Sequence, residues 1–291
     1  MLDKNFCTLK SFKSLEELLT KELSFSKSLI KKYIPKRKLQ YALKERDEVS
    51  IPLEILNNGY INPIYSGEEI IILKEDENFI AVNKPAGIHG HPHNYSETNT
   101  VLNFLRSMKS ISIFAEKSSD AESNLLYRLD MHTSGVLIFA KNKEAFSKVR
   151  SAFVESVKKK TYIAVVSGKF DQEGDHDHYL ESFGEKGSKM RPTESGSHKV
   201  RISTKLLQYN SEENVSLVEV KLGQGVRHQI RCQLSAIGFP ILGDELYGGA
   251  GSNRLYLHAY KYEIKVDEFN FEAESREEKL FLTLFDLNSC F

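Results

Sequence analysis

The chain has 291 residues, enough for one large domain or a large and a small one. Lys plus Arg and Asp plus Glu number 40 each, so no net basic charge announces a polyanion, and such a partner would have to be met by a local patch. Cys7, Cys232 and Cys290 are far apart and odd in number, which argues against a disulfide framework or a metal spacing; with no signal-peptide pattern and no apolar run near the ~20 residues that span a bilayer, a reduced cytoplasmic protein is expected.

Helical spacing comes first along the chain. Leu15, Leu18, Leu19 and Leu23 recur within residues 13–34, with Ser14 placed as an N-cap and Glu17 three residues on. A second short helix is expected from Ser26 to Ile34, ahead of Pro35. Residues 27–38 hold Lys27, Lys31, Lys32, Lys36, Arg37 and Lys38 and no acid; the run is either a solvated helix face or a phosphate-contacting patch. Residues 50–56, closed by Asn57-Asn58-Gly59, and residues 69–73 are predicted strands. A boundary is expected near the charged residues 74–77, dividing a small module, 1–75, from a large domain, 76–291. The helix-helix-strand order with a basic second helix resembles a divergent S4-type RNA-binding module.

Residues 79–82 read as a strand leading into Asn83-Lys84-Pro85-Ala86-Gly87, where Pro85 and Gly87 mark a tight connection. His89, His91 and His93 alternate, yet no Cys or carboxylate cluster accompanies them, so no metal site is expected. Residues 99–108 are a predicted helix, with Val101, Leu102 and Leu105 on one face, and residues 109–123 a polar, Ser-rich link. Residues 127–142 combine a polar loop carrying Arg128 and Asp130, a Thr133-Ser134-Gly135 turn, and an apolar, β-forming run, 136–140. A polar loop docked on a buried strand either holds a reactive side chain still or carries an ordinary loop ion pair.

Asn142 is placed to cap a helix bearing Phe146, Val149, Phe153 and Val157, closed by Lys158-Lys159-Lys160. Residues 162–166 are a predicted strand ended by Gly168, with Tyr162 at its start. Residues 168–200 are expected as loops and a hairpin, with His176-Asp177-His178 in a solvated loop. Residues 202–209 and 215–222 alternate as two strands of a hairpin. Ile230, Leu234 and Ile237 line a helix that Gly238 would end, and His228 and Arg231 share its neighbouring face. Residues 243–249 form a loop, and 255–266 and 279–285 are predicted final strands.

In chain order these blocks resemble the RluA-type pseudouridine synthases over residues 76–287. Asn83-Lys84-Pro85-Ala86-Gly87 with His91-Pro92 is similar to the family's first block. Arg128-Leu129-Asp130, with Thr133-Ser134-Gly135 and Ala140-Lys141-Asn142, is similar to its catalytic block. Lys160-Thr161-Tyr162 with Ala164 and Gly168 resembles the next. The C-terminal block is matched by Gly225, His228-Gln229-Ile230-Arg231, Gly238-Phe239-Pro240-Ile241, Gly243-Asp244 and Tyr247-Gly248, and Leu257-His258-Ala259 is also typical. Tyr127 stands where a His usually precedes Arg-Leu-Asp, Gln224-Gly225-Val226-Arg227 departs from the usual Thr-Gly-Arg lead-in, and Gln233 replaces a common His.

The resemblance implies an α+β fold: a curved, mostly antiparallel mixed sheet with flanking helices and a central catalytic cleft, preceded here by the small N-terminal module. It implies an enzyme that detaches uracil from N1, turns it and rejoins it through C5, in ribosomal or transfer RNA. Asp130 would be the nucleophile, acting on the sugar, on the pyrimidine ring or by assisting loss of a sugar proton. Arg231, with Arg227 second, would keep that carboxylate ionised. Tyr162 would stack on the uracil and help remove the C5 proton. Arg128 would hold the gap or phosphate of the flipped nucleotide, with His228, Arg227, Lys84 and Thr133 also binding substrate. Lys31, Lys32, Lys36 and Arg37 would contact RNA elsewhere. The isomerisation needs no redox step, so neither cofactor nor metal is implied, and RNA is the expected partner of a monomer. The departures keep one alternative in view, an RNA-binding or ribosome-assembly factor of the same fold without catalysis.

Overall fold

All seven residues of Ser134–Ala140 are buried, and the sheet is assembled on both sides of this strand. The computed structural model describes residues 3–23, 25–57, 61–108, 124–151, 157–196, 199–223, 225–276 and 284–285. The chain divides into two units, Met1–Gly67 with His91–Ser123, and Glu68–Gly90 with Asn124–Phe291. This division differs from a boundary at 75/76. The charged residues 74 and 75 lie in a strand of the larger sheet, and a second segment, beginning at His91, rejoins the first unit.

In the first unit, β1 (Asp3–Cys7) pairs antiparallel with β2 (Glu48–Pro52). Helix α1 (Leu15–Glu17) continues into a π-helical turn, Leu18–Glu22, and the Ser14 hydroxyl accepts the Glu17 N–H at 3.1 Å. Helix α2 (Lys27–Tyr33) is capped in the same way by Ser26, and α3 (Lys36–Leu39) follows Pro35. The expected strand over residues 50–56 is only half realised. At Pro52 the chain turns into α4 (Leu53–Leu56), which brings Ile55 and Leu56 into the core. Asn58 and Gly59 of the expected turn lie outside the described residues. Helix α5 (Val101–Ser107) forms where expected, capped by Thr100. These helices are too short to be stable alone. Helices α1 to α4 are held by a shared core that includes Leu15, Leu19, Ile30, Leu39, Ile51 and Ile55. The link at 109–123 lies outside the described residues.

The second unit contains β3 (Ile72–Glu75), β4 (Phe79–Lys84), β5 (Ser134–Ala140), α6 (Lys143–Ser151), β6 (Val157–Ser167), β7 (Gly174–Phe183), β8 (Lys189–Thr193), β9 (Lys199–Asn210), β10 (Val215–Leu222), α7 (Gln229–Ala236), β11 (Leu257–Val266) and β12 (Phe269–Glu274). Among the described residues they build a ten-stranded sheet in the order β3-β4-β5-β11-β6-β10-β9-β7-β8, with β12 added to β11. Every neighbouring pair is antiparallel except β5 with β11, where Ser134 and Gly135 face His258 and Ala259 in parallel register. The result is the expected α+β class, a mostly antiparallel sheet with short helices. No described helix is long and apolar enough to cross a membrane.

Gly135 explains how the parallel junction closes. Its φ is +110°, and a Cβ there would lie 2.2 Å from the Ala259 carbonyl oxygen, so only glycine allows the strands to meet. The Asp130 loop is thereby fastened at its C-terminal end to β11.

Three expectations are corrected. Helix α6 is capped by Asn142 as predicted, its Oδ1 accepting the Ala145 N–H at 2.8 Å, and among the described residues it spans Lys143–Ser151. Phe153 lies outside the described residues, and residues 157–160 belong to β6. Backbone pairing of this stretch to β11, through Tyr262, Glu263 and Ile264, outweighs the three-four spacing of apolar residues. The hairpin expected within residues 168–200 forms, as β7 with β8, but His176 and His178 lie in β7 rather than in a solvated loop. The charged residues that suggested solvent there form cross-strand pairs, Asp175 and Asp177 with Arg201. Finally, Phe269, Phe271 and Ala273 of β12 alternate toward the interior. This strand was not predicted, and most of the strand expected at 279–285 lies outside the described residues.

Candidate active site

The loop before β5 starts buried, at residues 124–127, and emerges at Arg128, which is exposed. Asp130 follows with its side chain 26 % exposed. The Thr133 N–H closes a tight turn on the Asp130 carbonyl at 3.1 Å, and Thr133 itself is buried. Next to the carboxylate, the Met131 carbonyl accepts from the Gly87 N–H at 2.9 Å and from Lys84 Nζ at 2.8 Å.

Lys84 is fully buried, and its Nζ also donates to the Pro85 and Ile88 carbonyls at 2.9 and 2.8 Å. Burial pushes its ammonium down to about 7, partly offset by the charge of Asp130. Expected as a substrate ligand, Lys84 is placed as a clamp that ties two loops together.

Arg231 comes from the first turn of α7. Its Nε and Nη2 donate to the two oxygens of Asp244, both at 2.7 Å, while Nη1 reaches Asp130 Oδ2 at 3.4 Å. The planar guanidinium is thus fixed along one edge by a bidentate carboxylate and presents another nitrogen to Asp130. Both sides of that clamp are buried, Arg231 at 9 % and Asp244 at 1 % side-chain exposure. Asp244 reads from the sequence as part of a loop and of the C-terminal block, with no role assigned to its carboxylate. Gly243 lets that loop pass, since a Cβ there would lie 1.7 Å from the Arg254 carbonyl oxygen.

His228 sits just ahead of α7 in the left-handed region, φ 52°. The Tyr247 hydroxyl accepts the Met190 N–H at 2.9 Å and lies 3.0 Å from His228 Nδ1. His228 Nε2 lies 3.8 Å from Asp130 Oδ2. Burial pushes the imidazole below its ordinary value, while Asp130 acts in the opposite sense. Arg227 is not placed as a second partner of Asp130. It is exposed, and its Nη2 donates to the Ser188 carbonyl.

Tyr162 is buried at the middle of β6, opposite Ala259 on β11 and Val220 on β10. Burial raises its phenol, and the charge of Asp130 adds to that rise. Its hydroxyl shares a hydrogen bond with that of Tyr262. Tyr127, the departure nearest the carboxylate, is also buried; its hydroxyl donates to the Val136 carbonyl at 3.1 Å.

Below Asp130 the start of β5 is tied down by a second polar chain. Arg254 Nη2 donates to Ser134 Oγ at 2.8 Å, and Ser134 Oγ lies 2.8 Å from His258 Nδ1. His258 Nε2 is 3.0 Å from the Ser275 carbonyl oxygen and donates to it. Lys31, Lys32, Lys36 and Arg37 are exposed on α2 and α3 of the other unit. Among the described residues no group of three or more His, Cys, Asp or Glu is placed to hold a metal ion.

Residues 78–236 match the family model described as RNA pseudouridylate synthase. The chain is 32 % identical over 222 residues to an uncharacterized RNA pseudouridine synthase of Bacillus subtilis, covering 75 % of this chain and 71 % of that protein. It is 34 % identical over 237 residues to the ribosomal large subunit pseudouridine synthase D of Borreliella burgdorferi, covering 79 % and 69 %. The fold is similar to that of human RNA pseudouridylate synthase domain containing 1, with a TM-score of 0.59 at 24 % identity over 74 % of this chain and 86 % of that one. The chain belongs to the RNA pseudouridylate synthase family.

Proposed function

We propose that this synthase acts on uridines of structured ribosomal RNA, with transfer RNA second, and that Asp130 is its acting carboxylate. One observation carries the assignment: Asp130 shares Arg231 with Asp244, and Asp244 takes the bidentate edge. A guanidinium already committed in that way cannot swing to close fully on Asp130. It turns one N–H toward Asp130 while leaving that carboxylate's oxygens accessible to a nucleoside.

The reaction breaks the N1–C1′ bond and forms a C5–C1′ bond, with the proton lost from C5 balanced by one gained at N1. Tyr162 would lie against the uracil and assist at C5. His228 would orient the Asp130 oxygens. Arg128, exposed at the rim of the loop, would meet the flipped nucleotide's phosphate, and Thr133 would hold the turn. Extruding the base costs a few kcal/mol, which favours loops and bulges as targets. The N-terminal unit would act as an S4-like module, with Lys31, Lys32, Lys36 and Arg37 on phosphates. A cytoplasmic monomer is the simplest form consistent with this use.

The test is pseudouridine mapping of ribosomal and transfer RNA from a strain lacking the protein, restored with wild type or Asp130→Asn. Loss of a site, its return with wild type, and at least about a 1000-fold lower rate with Asp130→Asn are expected. Wild-type conversion by Asp130→Asn would remove Asp130 from the mechanism, and an unchanged map would remove the RNA assignment.

A further inference from the structure

Three tyrosines from separate parts of the sequence meet behind the site. Tyr127 precedes the Asp130 loop, Tyr162 is on β6 and Tyr262 is on β11; all are buried, at 7 %, 6 % and 2 % exposure. The rings of Tyr127 and Tyr262 stack, with centroids 4.1 Å apart and planes 7° from parallel. Tyr162 meets Tyr262 edge-on, at 6.0 Å and 72°. The three hydroxyls have different tasks. That of Tyr127 is engaged by the Val136 carbonyl. Those of Tyr162 and Tyr262 are bonded to each other.

We infer that Tyr262 is a positioning residue for the isomerisation: its hydroxyl fixes the hydroxyl and ring plane of Tyr162, and Tyr127 fixes Tyr262 by stacking. The inference rests on the reading that Tyr162 faces the uracil. A phenol ring turns about two side-chain bonds, and a base stacked on it constrains it only after binding. A hydrogen bond to a neighbour that is itself clamped between strands sets the ring beforehand, so the substrate need not do so. With Tyr262 donating, the Tyr162 oxygen accepts and its own hydrogen stays available toward the reacting base. The same donation favours negative charge on Tyr162, against the rise caused by burial. Phenylalanine at 262 would keep the stack and the packing and remove only this hydroxyl.

The test compares Tyr162→Phe, Tyr262→Phe, Tyr262 replaced by 3-fluorotyrosine, and Tyr260→Phe. Tyr260 lies on the same strand, with its hydroxyl on Glu274. The substrate is ribosomal RNA from a strain lacking the protein. Tyr262→Phe is expected to lower kcat about 3- to 10-fold with KM for RNA unchanged, the share of one hydrogen bond. The ¹³Cζ resonance of Tyr162 should move in that variant alone. The 3-fluorotyrosine enzyme should restore kcat to within about twofold, and Tyr260→Phe should match wild type. A thermal melt of each variant guards against unfolding. Full activity in Tyr162→Phe would overturn both the reading of Tyr162 and this inference. Loss in Tyr162→Phe, with unchanged kcat and an unmoved Tyr162 resonance in Tyr262→Phe, would overturn the inference alone.

Discussion

Two arginine–carboxylate forks in the same sheet unit have nearly the same shape and opposite meanings. On the face of β7 and β9, Arg201 grips Asp177 through Nε and Nη2 at 2.7 and 2.8 Å. At the site, Arg231 grips Asp244 through Nε and Nη2, both at 2.7 Å. The first pair is open to water, at 57 % and 30 % side-chain exposure; the second is at 9 % and 1 %. Arg201 holds Asp177 well below the usual carboxylate range, yet water and salt screen that pair and each partner is well solvated without the other. Arg231 has no such alternative, and it faces a second carboxylate, Asp130, at 3.4 Å. Bidentate geometry alone does not distinguish a working pair from a surface one. Burial and the third, incompletely matched charge do.

Breaking the buried fork should have the largest effect. Asp244→Ala leaves Arg231 desolvated with only Asp130 to balance it, and should cost about 3–5 kcal/mol in urea unfolding. Conversion should fall roughly 100-fold as Asp130 and Arg231 collapse onto each other. A stable and active Asp244→Ala would mean that the fork is no more than the surface pair over again. Next comes the basic run, whose charges are exposed like Arg201 but cluster with one sign. Neutralising Lys31, Lys32, Lys36 and Arg37 together should weaken RNA binding and flatten its salt dependence, by roughly 0.7–0.9 in log–log slope for each phosphate no longer neutralised. An unchanged slope would make the run a solvated face.

Lys84 sharpens the same contrast with a single charge. Its folded value of about 7 lies below that of a lysine in the unfolded chain, about 10.4. Above pH 7 the unfolded state therefore binds more protons than the folded one, and stability rises with pH through that window. Relative to Lys84→Met, wild type should gain stability from pH 7 to 9 by up to about 1.4 kcal/mol per unit. A flat difference would show that its three carbonyl partners keep it charged. Smallest of all, Asp177→Asn should leave both the melting temperature and conversion where they were. A measurable drop in conversion would place the β7–β9 face against RNA.

Much of the frame was legible in the sequence because it is written locally. Ser14, Ser26 and Asn142 cap the helices that follow them. The apolar run after Gly135 is a strand buried along its whole length. What escaped depends on neighbours far away in the chain. Residues 157–160 look helical until β11 pairs with them, and the task of the Asp244 carboxylate is hidden until Arg231 reaches it. Tyr262 gave no signal because its partners lie 100 residues upstream and, for Tyr127, further still. Lys84 is visible as part of a motif, but its burial under three carbonyls is not.

The parallel seam between β5 and β11 bears on when the enzyme becomes competent. Ser134 is separated by 124 residues from His258, the residue that anchors it. During synthesis, Asp130, Tyr162 and Arg231 all leave the ribosome before β11 does. A nascent chain therefore carries these three side chains without the strand that seats Gly135 and supplies Tyr262. Such long-range closure is slow compared with helix formation. Activity would be withheld until the sheet is complete, so unfinished chains emerging beside ribosomal RNA would leave it unmodified.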